Sequence, residues 1–121
     1  MLTIGSTVVG VGDIPRAVAF WTEALGYVPR EPGDETFVVL VPRDGAGVPR
    51  LSLMLAESAP EPEPRVHLDL YAEGGREGRA REVERLVALG ARHAAWDRYP
   101  PDPDFVVLED PDGNRFCVIA K

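Results

Sequence analysis

Apolar and polar positions run through nearly the same series of patterns twice. Thr36-Phe37-Val38-Val39-Leu40 precedes a Pro/Gly turn and an alternating strand from Arg50 to Leu55. Asp104-Phe105-Val106-Val107-Leu108 precedes Asp110-Pro111-Asp112-Gly113-Asn114 and a second alternating strand from Arg115 to Ala120. Upstream of each lies one helical pattern closed by Leu-Gly (Leu25-Gly26, Leu89-Gly90), and upstream of each helix lies one strand. Neither copy of strand, helix and further strands can bury a sheet face alone, so the pattern predicts one α+β body with a cleft between its halves. The expected domain spans 1–121, with module 1 at about 1–56, a linker at 57–65 and module 2 at about 66–121.

Each element has a local cause. Thr3 to Val11 is rich in β-branched residues and reads as a strand. Asp13 can cap a helix that takes Pro15 in its first turn, and Ile14, Ala17, Val18, Trp21, Ala24 and Leu25 share one helical face. Phe20 and Trp21 are adjacent and are expected on different sides of that helix, one in the core and the other toward the sheet or a dimer contact. Gly26 supplies a left-handed stop. Strands follow at Thr36 to Val41 and Leu51 to Ala56. Glu57 to Arg65 is acidic, proline-rich and aperiodic, an extended linker. Val66 to Ala72 opens the second copy. A helix from about Glu77 to Leu89 places Ala80, Val83, Leu86 and Val87 together, Ala91 to Trp96 reads as a short edge strand, and the prolines of Asp97 to Asp104 permit only a loop. The Asp110–Asn114 segment reads as a tight turn that sets strand register.

Charge and cysteine usage narrow the partners. A net charge of −7 over 121 residues, with no basic stretch, argues against nucleic acid or an anionic membrane. Cys117 is the single cysteine, so no intrachain disulfide or cysteine-cluster zinc site is available and a cytoplasmic location is expected. No apolar run approaches the length of a membrane span.

Strand alternation selects the candidate site. In Val66-His67-Leu68-Asp69-Leu70-Tyr71, the aliphatic residues suit the helix-covered face, leaving His67, Asp69 and Tyr71 on the other. The same parity adds Ser52 and Met54, Cys117 and Ile119, and Ser6 and Val8. Matching the copies through Leu25/Leu89, Phe37/Phe105 and Ser52/Cys117 makes Ser6, Ser52, His67 and Cys117 the four equivalent inward positions. Such a face is how a small-molecule pocket is built. Trp96, Tyr99 and Phe105 flank the proline-rich loop, where a planar ligand could stack. The candidate ligand-binding residues are therefore Ser6, Ser52, Met54, His67, Asp69, Tyr71, Trp96, Phe105 and Cys117. His67 is the best candidate for a catalytic group, because imidazole can act as a base near neutral pH; a structurally satisfied histidine is the competing reading. Asp69 could orient a cationic partner or lie at the solvent rim, and Cys117 reads as a buried thiol rather than a nucleophile.

The order of landmarks resembles the vicinal oxygen chelate superfamily, the glyoxalase and bleomycin-resistance protein group. The residues that carry the resemblance are Val11 to Trp21 with its Asp13, Ala17, Phe20 and Trp21, then Leu25-Gly26-Tyr27, Val66-His67-Leu68-Asp69, Leu89-Gly90-Ala91 and Leu108 to Asn114. The resemblance implies paired βαβββ modules in a curved, partly open mixed sheet with helices on its outer face, a pocket, a homodimer, and in many members a divalent metal. It also implies that metal-dependent members carry His, Gln or Glu where this chain has Ser6, Ser52, His67 and Cys117. One imidazole, one thiol and two hydroxyls make a poor catalytic centre, so no metal cofactor is expected, and His67 would be the ligand if one were bound.

The favoured expectation is a protein that binds a small organic molecule without the family's catalytic metal, the acidic surface suiting a neutral or cationic ligand. The alternatives are a metal-dependent or His67-based lyase, isomerase or dioxygenase of the glyoxalase type, and a structural dimer with a filled cleft. A ferredoxin-like dimeric barrel is the competing fold, disfavoured by the strand pair that follows each helix.

Overall fold

Asp13 begins the first helix as the sequence predicts. Its backbone is extended and its Oδ1 accepts the Arg16 amide at 2.9 Å, satisfying one of the helix's otherwise unpartnered N–H groups. In the computed structural model, which describes residues 1–121, the helix α1 spans Ile14–Leu25 and ends at Gly26, whose φ of 67° is the left-handed conformation that glycine adopts at least cost. The chain divides into two compact units, Met1–Pro60 and Glu61–Lys121.

The first unit holds β1 (Thr7–Val11), α1, β2 (Tyr27–Pro29), β3 (Phe37–Pro42) and β4 (Leu51–Leu55). Its open mixed sheet has the order β1-β4-β3-β2, with β1 parallel to β4 and the other pairs antiparallel. Val38, Leu40, Leu51 and Leu53 share one face and are buried with Ile14, Ala17, Phe20 and Trp21 of α1. Phe20 and Trp21 are both buried in the core. Their rings meet edge to face with centroids 5.0 Å apart, so the helix wedges two aromatics into one core.

The second unit repeats the plan with β5 (Asp69–Ala72), α2 (Gly75–Leu89), β6 (Arg92–His93), β7 (Phe105–Glu109) and β8 (Arg115–Ala120). The order β5-β8-β7-β6 is again open, with β5 parallel to β8. Val83 and Leu86 of α2 are buried with Ala72, Val118, Leu108 and Phe116. Helix α2 starts two residues earlier than the sequence predicts, and its first turn packs closely at Gly78. A Cβ on Gly78 would come within 1.8 Å of the Glu73 carbonyl oxygen.

The two βαβββ modules, each with a helix and a four-stranded mixed sheet, are the predicted α+β fold. The differences lie at edges. Tyr27–Pro29 forms a short strand that the pattern did not announce, Ala91–Trp96 is reduced to two paired residues, and β5 begins at Asp69 rather than Val66. Residues 57–65 carry no helix or strand, as their composition predicts.

The turn between β7 and β8 is built by Asp110, which is fully buried. Its Oδ1 accepts the amides of Asp112 at 3.0 Å and Asn114 at 2.8 Å, and Gly113 takes a φ of 90°. This turn fixes the register of Leu108 against Phe116 and Glu109 against Arg115.

Candidate functional site

The duplication can be read in strand register. In the first unit Val8 faces Ser52 and Ser52 faces Val39; in the second Asp69 faces Cys117 and Cys117 faces Val107. Ser52 and Cys117 are thus equivalent, as are Val8 and Asp69. Two residues upstream, Ser6 and His67 are equivalent as well.

In the first unit Ser6 and Ser52 satisfy each other. Their Oγ atoms are 2.7 Å apart, and Ser52 is buried. Met54 lies two residues along on the same face and is exposed, like Val8.

In the second unit the equivalent positions carry chemistry. His67 Nε2 lies 3.0 Å from Asp69 Oδ1, with both side chains about half exposed. Asp69 also accepts a hydrogen bond from the Cys117 thiol. Burial first, then the Asp69 charge and that hydrogen bond, push Cys117 up from 9.0 to about 11. Each cause disfavours the thiolate, so at neutral pH Cys117 is a proton donor to Asp69 and not a nucleophile.

This cluster borders a cavity of about 330 Å³ contained in the second unit. Trp96, Phe105, Val107, Phe116 and Ile119 supply most of its wall, and His67, Asp69, Cys117, Asp104 and Arg115 its polar groups. Of the predicted residues, His67, Asp69, Trp96, Phe105 and Cys117 converge here. Tyr71 shares the sheet face but is exposed beyond the cavity, with Lys121 Nζ 5.1 Å from its ring centre. Ser6, Ser52 and Met54 belong to the first unit and do not line it. Tyr99 does not line the cavity; its ring is 5.3 Å from that of Phe105 and its hydroxyl accepts the Val107 amide at 2.8 Å. Arg115 escaped the sequence reading, although its spacing of two from Cys117 and four from Ile119 places it on the same face.

The chain belongs to the glyoxalase-like domain family, whose model matches residues 6–119. Solved structures share the fold. A "possible glyoxalase" from Bacillus cereus is 19% identical with a TM-score of 0.72, covering 99% of this chain and 100% of that one. A glyoxalase/bleomycin resistance protein/dioxygenase family enzyme from Burkholderia phytofirmans is 18% identical with a TM-score of 0.69, covering 94% of each chain. The fosfomycin resistance protein FosX from Listeria monocytogenes, as an E126Q mutant complexed with Mn(II) and 1S,2S-dihydroxypropylphosphonic acid, is 17% identical with a TM-score of 0.72, covering 99% of this chain and 90% of that one. A comparison with curated proteins finds no match.

The residues present do not fit a catalytic divalent metal of the kind held in the FosX complex. Two of the four positions are neutral hydroxyls bonded to each other. His67, Asp69 and Cys117 do bring one donor atom each within 4.8 Å of one another. A cation there would have to replace the Cys117 thiol proton and displace the His67–Asp69 contact, with only these three side chains as donors.

Proposed function

We propose that this glyoxalase-like protein binds a small, largely apolar organic molecule in the cavity of its second unit, without a catalytic metal. The observation that carries this reading is the aromatic and aliphatic cavity of about 330 Å³ with His67, Asp69 and Cys117 grouped on its wall. A volume at the lower end of the usual ligand-site range, apolar with a few convergent polar groups, suits orientation of one small ligand. The units act together as one domain, as a family model spanning both suggests. The single cysteine fits a cytoplasmic location, and the family resemblance favours a homodimer. The net charge of −7 disfavours nucleic acid and anionic membrane as partners, and no helix is long and apolar enough to cross a membrane.

A second reading is supported by the His67–Asp69 contact. A carboxylate bonded to one imidazole nitrogen orients the ring and leaves the other nitrogen to act, so a ligand with an acidic proton could be deprotonated by His67 without a metal.

The test is a thermal-shift screen of small aromatic and heteroaromatic compounds on the wild type and on Ile119→Trp, which fills the cavity. A compound at 100 times its dissociation constant adds about 2.7 kcal/mol of stability and raises the melting temperature of the wild type but not of the filled variant. Equal shifts in both proteins, or none in either, would contradict the reading.

A further inference from the structure

We infer that the cavity selects ligands bearing a carboxylate, gripped by Arg115, with an aromatic body extended along β8 toward Phe105. This rests on the cavity reading above and names its ligand class. Arg115 opens β8 on the face shared by Cys117 and Ile119 and lines the cavity directly. Its side chain is only 14% exposed, so the guanidinium has largely left water. A desolvated charge requires good partners, and those present are long. Nε lies 3.7 Å from Glu109 Oε1, and Nη2 lies 3.5 Å from the Ala95 carbonyl oxygen. Glu109 is itself shared, because its Oε2 faces Arg92 Nη2 at 3.5 Å. Two guanidiniums to one carboxylate leave positive charge at this end of the cavity, and the planar fork of Arg115 matches a carboxylate in geometry.

Trp96 strengthens the assignment. Its ring lines the cavity with Arg115 Cζ 5.8 Å from the ring centre, and its Nε1–H is buried with no acceptor. That N–H is shielded, so the ring face beside Arg115 is what Trp96 offers a ligand. Arg98, 5.1 Å from the same ring centre, is engaged by Glu63 and Asp97 and does not line the cavity. Arg115 is therefore the cation that a ligand meets.

The rest of the wall suits a ring. From Arg115 to Ile119 the strand advances four residues, about 13 Å. Cys117 and Val107 lie midway, and Phe105 faces Ile119 at the far end. Of the cavity's carboxylates, Asp69 is engaged by His67 and the Cys117 thiol, and Asp104 adjoins Phe105 at the far end of the strand. The net charge of −7 opposes an anion only weakly, because surface charges beyond a Debye length of about 8 Å are screened while a contact ion pair is not.

Calorimetric titration of the full chain with naphthalene-2-carboxylate, naphthalene-2-carboxamide and 2-naphthylmethylammonium tests this. In the wild type the carboxylate binds about tenfold or more tighter than the amide, as expected for a charge-assisted hydrogen bond. Arg115→Gln reduces that preference to about twofold or less, and Arg115→Lys restores part of it through charge without the fork. If Arg115→Gln fails to fold, the wild-type ratio and the Lys variant decide. Equal affinity for acid and amide, or tightest binding of the ammonium, overturns the inference and leaves the cavity reading standing. Binding of none of the three at millimolar concentration overturns both.

Discussion

Asp69 Oδ1 lies 3.0 Å from His67 Nε2, and the equivalent pair in the other copy is Val8 and Ser6. The fold presents the same frame twice and dresses it differently. Where the second unit groups an imidazole, a carboxylate and a thiol beside a cavity, the first closes two hydroxyls on each other.

The serine pair contributes to stability as a coupled unit. Ser52→Ala leaves Ser6 without its partner and costs about 1 kcal/mol, the usual net worth of such a hydrogen bond. Because both singles remove the same bond, the double Ser6→Ala/Ser52→Ala variant is less destabilised in urea than the sum of the singles. Strict additivity would show that the 2.7 Å contact carries no coupling energy.

Alkylation reports the protonation of Cys117. With the thiol raised to about 11, the iodoacetamide rate stays low at pH 8 and climbs through a midpoint near that value. Asp69→Asn removes the charge but not the burial, so it moves the midpoint part of the way toward 9.0. The linkage has a definite sign. Between the ordinary value of 9.0 and about 11 the folded chain retains a proton that the unfolded chain has lost, so stability falls as pH rises through that window. Cys117→Ser lacks this component of the decline. A midpoint near 9 in the wild type would contradict the assignment.

Asp110→Ala removes the acceptor for the amides of Asp112 and Asn114 in a fully buried turn. Two charge-assisted bonds of about 1.5–3 kcal/mol each are lost, and urea denaturation is expected to show a loss of about 3 kcal/mol or more. A loss below about 1 kcal/mol would mean that the turn is held by its backbone alone.

Metal content is expected to be substoichiometric in protein purified without chelator. Added zinc should compete with the Cys117 proton, giving weak binding that tightens as pH rises. One tightly held equivalent of any divalent metal would contradict the reading of the donor set.

Most of the frame was legible because each signal was local. Asp13 and Gly26 mark the ends of α1, the aspartates and Gly113 mark the β7–β8 turn, and alternation in β4 and β8 assigns faces before any coordinates. Tyr27–Pro29 was not legible, since a three-residue strand ending in proline owes its pairing to β3 and not to its own propensity. The equivalence of Ser6 with His67 followed from the duplication alone. The grouping of Trp96 and Phe105 with the His67 cluster followed only in part. Their neighbourhood in the proline-rich segment was visible, whereas the packing that makes them one wall with Arg115 depends on long-range pairing of β7 with β8.

The most direct test of the central claim is a ¹⁵N-correlated NMR titration of the full chain with a compound that raises its melting temperature. Saturable shifts are expected at the Trp96 indole N–H and at the amides of Asp69, Phe105, Val107, Cys117 and Ile119. Shifts confined to residues outside that wall, or an unchanged spectrum at saturating ligand, would contradict the claim.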